Sequence, residues 1–245
     1  MDKKKILINK ENEYFIYNNK DIHTKYGVLK KEIIDKEKIG SLIKTNKNKE
    51  FYLLNASQID LYKKIKRIPQ LMMLKDISSI IAYTGINKKS IIGEAGGGSG
   101  GLSCFICNIA KKVYSFEINE DYINLIKKNS EMLNIKNLIL KKQDVYEKIN
   151  VKNIDVFILD LAQPYDAVEN VLKTLKIGGF IVNYSPNLTQ TKKIIQKIKQ
   201  TNKCIYIETI ETIQREWEVD ELRLRPKFKM LGHTAFLTFF RKLKN

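Results

Sequence analysis

Four acidic residues stand where apolar runs end: Glu94 after Ile91-Ile92-Gly93, Glu117 after Val113-Tyr114-Ser115-Phe116, Asp144 beyond Leu138-Ile139-Leu140, and Asp160 after Val156-Phe157-Ile158-Leu159. In an open α/β sheet, ligands sit outside the carboxyl ends of the strands, so acids recurring at those ends are candidates for holding hydroxyl and amine groups. The first acid leads into Gly96-Gly97-Gly98-Ser99-Gly100-Gly101, five glycines in six positions. A strand that ends in such a loop and continues as a helix lets a polar small molecule lie against bare backbone, and the helix aims unpaired N–H groups at it. Glycines at a strand-to-helix turn also serve close packing, so the loop alone is a weak signal. Glu117 lies 21 residues beyond Gly96, where a carboxylate can accept both hydroxyls of a ribose, and Asp144 can accept from an adenine amine. Together these residues read as a site for an adenosine-containing cofactor.

A second group follows the fourth strand. Asp160-Leu161-Ala162-Gln163-Pro164-Tyr165 sets an acid, a rigid turn and an aromatic ring in one short stretch, the ingredients of a base-recognition loop. Methyl transfer to a neutral ring nitrogen needs little acid–base chemistry, because positioning supplies most of the effect. What the site must supply is stabilisation of the new positive charge. A carboxylate hydrogen-bonded to the N6 amine of an adenine attacked through N1 does that better in the transition state than in the ground state, and Asp160 fits the role. Cys104 and Cys107 have C-x-x-C spacing but fall among Leu102, Phe105, Ile106 and Ile109 on the expected helix, so they read as small core residues; with two histidines in the chain no metal site is evident. An odd third cysteine, Cys204, argues against a disulfide framework within one chain, though it could cross-link to another subunit.

The elements that must position these groups fall into three stretches. Residues 1–54 carry short alternating runs, such as Ile6-Leu7-Ile8 and Phe51-Tyr52-Leu53-Leu54, separated by Asn- and Lys-rich turns: a small β-rich N-terminal domain. Residues 55–89 link, with helices over 55–66 and 76–86, the second capped by Asp76 and ended near Gly85. From residue 90 to 245 apolar runs alternate with amphipathic segments, giving helices over 101–111, 120–133, 165–174 and 188–200 between strands of a parallel sheet. The last two β-like runs, 204–213 and 234–240, have no long helix between them and should pair antiparallel at the sheet edge. That ending fits a class I S-adenosylmethionine-dependent methyltransferase, a Rossmann-like α/β fold with a seven-stranded sheet and an antiparallel C-terminal strand, rather than a nicotinamide-binding domain.

Composition narrows the partner. The chain has 245 residues, enough to bury a core without staples, and its 44 basic against 27 acidic side chains give a formal charge of +17. Such an excess points to a polyanion, with RNA or DNA the default and a merely solvated Lys-rich surface the bland alternative. Residues 1–89 carry 20 basic and 10 acidic side chains, so the N-terminal module is the expected holder of part of a nucleic acid. No apolar run approaches the length of a membrane span and no secretory signal opens the chain, so a cytoplasmic protein without membrane contact is expected. The single tryptophan, Trp217, could be an RNA platform but better suits an edge strand or interface, and Arg223-Leu224-Arg225-Pro226-Lys227 is a basic loop that could touch RNA or simply be solvated. His23 and His233 read as hydrogen-bonded structural residues.

These blocks carry a resemblance. His23-Thr24-Lys25-Tyr26-Gly27, Arg67-Ile68-Pro69-Gln70, Lys75-Asp76, the Glu94-to-Gly101 loop, Asp160-Leu161-x-x-Pro164, Tyr184-x-Pro186-Asn187, Arg215-Glu216-Trp217-Glu218 and Gly232-His233-Thr234-Ala235-Phe236-Leu237 resemble the tRNA adenine-58 N1-methyltransferase family along nearly the whole chain. The resemblance implies S-adenosyl-L-methionine held by Gln70, Glu94, Gly96, Gly98, Ser99, Gly100, Leu102, Glu117, Asp144 and Asp160, with Asp160 and Tyr184 as the catalytic residues at the target adenine. It implies tRNA as the partner, a homotetramer, and methylation at position 58, with position 57 a further target in archaeal members. One departure stands out: the family places an aromatic or histidine before Pro-Lys-Asp, where this chain has Met73-Leu74-Lys75-Asp76. The usual tryptophan after the Asp160 turn is Tyr165.

Overall fold

Period-two alternation along the first fifty-five residues produces short strands because each buries every second side chain on one face. In the computed structural model, which describes residues 4–68 and 71–245, the chain divides into two compact units, 1–64 and 65–245. The first contains β1 (Lys5–Ile8), β2 (Tyr14–Ile16), β3 (Ile22–Thr24), β4 (Gly27–Leu29), α1 (Lys31–Lys36), β5 (Leu42–Lys44), β6 (Glu50–Asn55) and α2 (Gln58–Tyr62). Antiparallel pairing gives a four-stranded sheet of order β2-β1-β6-β5 and a separate β3-β4 hairpin. Leu7, Leu29, Ile34, Phe51 and Leu53 are fully enclosed at its centre. Asn12 and Asn48 take left-handed backbone at the turns, which asparagine tolerates better than most residues.

The helix expected over 55–66 is only α2. Asn55 still belongs to β6, and Ser57 and Asp60 form a reciprocal capping box that fixes where the helix can begin. The division of the chain after Lys64 leaves α2 with the first unit.

The second unit begins its regular structure with α3 (Leu74–Thr84) and continues through β7 (Ile91–Ala95), α4 (Gly101–Ile106), β8 (Lys112–Glu117), α5 (Glu120–Met132), β9 (Leu138–Lys142) and β10 (Ile154–Leu159). A 3-10 turn over Pro164–Ala167 leads into α6 (Val168–Thr174), followed by β11 (Leu175–Ser185), α7 (Leu188–Thr201), β12 (Cys204–Glu211), β13 (Trp217–Val219), β14 (Leu224–Pro226) and β15 (Phe236–Lys242). Seven of the strands form one sheet of order β12-β15-β11-β10-β7-β8-β9. The pairs from β11 to β9 are parallel, and β15 runs antiparallel to both β11 and β12, with Cys204 opposite Lys242 and Glu211 opposite Phe236. The antiparallel finish expected from residues 204–213 and 234–240 is therefore present. Strand order reverses at β7, whose neighbours are β8 on one side and β10 on the other. This switch point opens the crevice in which α/β sheets bind ligands, and the glycine loop leaves the sheet there.

Three helix expectations need correction. Asp76 does not cap α3: the helix starts at Leu74 after Met73, and Asp76 is wholly buried inside its first turn, while Gly85 does end the helix at φ +68°. The helix expected to reach residue 111 stops at Ile106, because the N–H groups of Lys111 and Lys112 bond the Ser90 carbonyl and draw the chain into β8. The stretch from Pro164 tightens to 3-10 geometry before α6 begins. Between β12 and β15 the basic Arg223–Lys227 segment is not a free loop but part of the β13-β14 hairpin, where Arg225 pairs with Glu218 at 2.8 Å and Lys227 with Glu216 at 2.5 Å. Cys104 and Cys107 are buried core residues, and burial pushes the Cys104 thiol up to about 12. Beneath the crevice Phe116 stacks on Phe157 with ring centroids 5.9 Å apart.

Candidate active site

The glycine loop is held by backbone bonds from both flanking strands. Gly97 donates to the Phe116 carbonyl at 3.1 Å, Gly96 donates to the Asp160 carbonyl at 3.3 Å, and Asp160 donates back to Ala95 at 2.6 Å. Packing and openness are divided between neighbouring glycines. A Cβ on Gly97 would lie 2.7 Å from Ser115 Oγ and 2.8 Å from Ile126 Cδ1, so that position is closed by the core. Gly98 has φ +54°, and among the described residues a Cβ there would meet only Ile68 at 3.9 Å. The backbone at Gly98 therefore needs glycine for its conformation and keeps an open face above it. Gly100, also left-handed, stands at the start of α4, with Leu102 buried in the first turn.

Glu117 closes the side of this loop. Its Oε2 accepts from the Gly98 N–H at 2.9 Å and its Oε1 accepts from Ile118 and Asn119 at 2.8 and 2.9 Å. A carboxylate has about four lone-pair sites, so capacity remains for a hydroxyl donor. Asp144, beyond β9, accepts from the Tyr146 N–H at 2.8 Å and is partly exposed. Glu94 sits lower: it is 3% exposed, accepts from Ser115 Oγ at 2.7 Å, and burial pushes its carboxyl up to about 8. It forms the floor of the loop rather than its lining. Ser99 is buried as well, and its carbonyl accepts from Asn129 Nδ2 at 2.9 Å. Gln70 lies outside the described residues.

Asp160 and Tyr184 stand at the ends of the next two strands. Asp160 follows β10 directly, and burial pushes its carboxyl up to about 7. Tyr184, near the end of β11, has its hydroxyl pushed well above the ordinary phenol value, first by burial and then by the carboxylates of Asp76 and Asp160, against a hydrogen bond with Thr234. Close to it lies a polar triad built on the buried Asp76. Lys75 Nζ is 2.8 Å from Asp76 Oδ1 and donates to Thr234 Oγ1 at 2.5 Å, while Thr234 donates to Asp76 Oδ2 at 2.9 Å. Met73, at the position of the family's flanking aromatic, caps α3 without a side-chain bond and is 42% exposed. His233 is hydrogen-bonded to Glu211 and the Pro186 carbonyl, so it is a brace between loops.

Residues 61–227 match the family described as tRNA methyltransferase complex GCD14 subunit. The chain belongs to that family. Among its relatives, the tRNA (adenine(57)-N(1)/adenine(58)-N(1))-methyltransferase TrmI of Methanocaldococcus jannaschii is 32% identical, with 97% of this chain and 94% of the relative covered. The crystal structure of the tRNA (m1A58) methyltransferase TrmI from Aquifex aeolicus superposes with a TM-score of 0.82 at 25% identity, covering 99% of this chain and 97% of that one. An S-adenosylmethionine-dependent O-methyltransferase from Thermotoga maritima superposes with a TM-score of 0.88, also at 25% identity, covering 99% and 94%. The fold of this GCD14-family chain is thus that of the S-adenosylmethionine-dependent methyltransferases.

Sequence reasoning missed two supports of the site. Asn129, 2% exposed, exchanges hydrogen bonds with Lys66 in both directions, at 2.9 and 2.8 Å, while also holding Ser99. Its signal was available: a polar residue on the stripe Ile123, Ile126, Asn129 and Leu133, where the helix faces the core. The Lys75–Asp76–Thr234 triad joins residues 158 and 159 positions apart, which no local pattern discloses.

Proposed function

We propose that this protein transfers a methyl group from S-adenosyl-L-methionine to N1 of adenosine 58 in the T-loop of tRNA, acting in the cytoplasm. Asp160 carries the reading: a carboxylate at the strand end beside the glycine loop, bonded through its backbone to Ala95 and Gly96. The donor fits the residues present, since among the described residues nothing closes the space where a Cβ on Gly98 would stand, and Glu117 keeps acceptor capacity beside it. Gly96, Gly98, Gly100, Leu102 and Ser99 would hold the donor by backbone, Glu117 would take a ribose hydroxyl and Asp144 the adenine amine, with Glu94 supporting them from below. When bound, the donor supplies a methyl carbon already activated on a sulfonium centre.

The chain's own task is orientation and charge. Asp160, ionised, accepts from the N6 amine of the target adenine and so stabilises the positive charge the ring acquires as N1 is alkylated. Tyr184, kept protonated by its surroundings, stands beside that base as a hydrogen-bond donor and a flat wall. Extracting the base from folded tRNA costs a few kcal/mol, which phosphate contacts by this +17 chain offset. The test is incubation of an unmodified tRNA transcript with protein and donor, read by nucleoside mass analysis and primer-extension stops at positions 57 and 58. Methylation at N1, reduced about 10²–10³-fold by Asp160→Ala, is the expected result; no methylated adenosine from protein that binds the donor would overturn the proposal. Position 57 is included because the Methanocaldococcus relative is named for both positions.

The same reading includes a homotetramer. Ile205 and Ile207 on the edge strand β12, and Trp217, Val219 and Leu224 on the β13-β14 hairpin, are all at least 40% exposed. Apolar side chains on an unpaired edge suit burial against another copy. Sedimentation of the full chain should give a mass near four protomers, and a monomer at micromolar concentration would refute the assembly.

A further inference from the structure

Asp160 follows β10 and Tyr184 stands near the end of its neighbour β11, and the segments that leave these two strands frame an open cavity of about 420 Å³. On one side stand Ala162, Gln163 and Tyr165; on the other, Asn187, Gln190 and Lys193 from the start of α7. Its volume falls within the range of about 300–1,000 Å³ typical of small-ligand sites. Gln190 Nε2 donates across to the Ala162 carbonyl and ties the two walls together, while Asn187 Oδ1 accepts from the Gln190 N–H at 2.9 Å within its own wall. Two features are unexplained by folding alone. Gln190 Oε1 is buried and has no hydrogen-bond partner among the described residues. The ammonium of Lys193 lies over the ring of Tyr165, 5.4 Å from its centroid, on an exposed lysine.

A flat ring, a cation beside it and an array of amides is the equipment for one nucleotide: the ring stacks on a base, the ammonium meets a phosphate, and the amides read a base edge. Flipping a base for chemistry unstacks its neighbours, and those neighbours need a surface to rest on. We propose that this cavity is a subsite for the nucleotide next to the methylated adenosine, with Tyr165 as the stacking platform, Lys193 as the phosphate contact and Gln190 Oε1 as the acceptor for a base amine. The inference rests on tRNA being the substrate, and it gives the family's altered aromatic position, Tyr165, a task separate from holding the target base.

The experiment measures initial rates of methylation by the full-length protein on tRNA transcript, varying tRNA and donor independently, for wild type, Lys193→Glu, Tyr165→Phe and Tyr165→Ala. Lys193→Glu should raise KM for tRNA about tenfold and leave KM for the donor unchanged. Tyr165→Phe should stay within about twofold of wild type, while Tyr165→Ala should lose about tenfold in kcat/KM. A transcript lacking the base on either side of the target adenosine separates stacking from a folding defect: on one of these transcripts the wild type should fall to the level of Tyr165→Ala, and the variant should lose nothing more. An active wild type whose KM for tRNA is indifferent to Lys193→Glu, or a Tyr165→Ala loss that persists equally on both abasic transcripts, overturns the subsite and leaves the proposed reaction standing. A wild type that binds donor but methylates no tRNA overturns both.

Discussion

The carboxyl edge of the seven-stranded sheet and the β13-β14 hairpin use the same residue types in opposite ways. At the sheet edge Lys75 and Asp76 face each other with side chains 9% and 0% exposed, and Asp160 and Glu94 are enclosed enough to be pushed to about 7 and about 8. On the hairpin Arg225–Glu218 and Lys227–Glu216 are ion pairs at similar distances, but every partner is 29% exposed or more. Water accounts for the difference. A charge withdrawn from solvent is costly, persists only where neighbours demand it, and responds strongly to any change around it. A charge left in water is interchangeable with its hydration. The chain thus concentrates its electrostatic sensitivity beside the glycine loop and Tyr184, although its formal charge is spread along the whole sequence.

The sharpest way to break that contrast is to remove one buried partner. Asp76→Ala leaves the Lys75 ammonium, with its side chain 9% exposed, bonded to Thr234 and without its carboxylate, and should cost about 3–5 kcal/mol of folding stability, read by urea unfolding at constant m-value. A loss below about 1 kcal/mol would mean that the pair behaves like the hairpin's and that the contrast is false.

Proton linkage tests the same contrast in activity. Burial raises the Asp160 carboxyl from its ordinary value of 3.8 to about 7, and only the ionised form accepts from the adenine amine while opposing the new positive charge. The rate should therefore climb as pH rises, pass its midpoint near 7, level off above about 8, and lie about a hundredfold below the plateau at pH 5, where about one carboxylate in a hundred is ionised. Asp160→Asn should show no acid limb at all. Glu94→Gln should retain the limb, because Glu94 reaches its own midpoint only near 8 and sits beneath the loop. An acid limb centred near 4 in the wild type would place Asp160 in water and refute its burial.

The region that matters most was also the more legible one in the sequence, for a physical reason. Strand-end acids, the glycine run and the closing antiparallel pair are consequences of local periodicity, so Glu94, Glu117, Asp160 and the edge pairing of β12 with β15 could be read without a structure. What escaped were choices made by distant contacts. Asp76 looks like a helix cap until Thr234, 158 residues away, supplies its partner. The helix after the glycine loop looks longer until the Ser90 carbonyl claims Lys111 and Lys112. Arg223–Lys227 reads as an open basic loop because the acids that neutralise it, Glu216 and Glu218, act only once a hairpin brings them opposite.

That hairpin supplies the smallest effect and the control for the others. Lys227→Ala removes one exposed ion pair, Lys227 to Glu216, at side chains 47% and 56% exposed. In such a setting the Coulomb gain is offset by hydration and by the entropy of holding two flexible side chains. The variant should change stability by no more than about 0.5–1 kcal/mol, with the difference shrinking further as salt is raised. Because Glu216 already neutralises this lysine, its loss should also move the salt dependence of tRNA binding by less than one phosphate contact, whereas a free phosphate-binding lysine should change the slope by about one. If Lys227→Ala instead weakens tRNA binding with that full slope change, the pair opens in the complex. The hairpin would then join the nucleic-acid surface, and exposure alone would not separate the two regions.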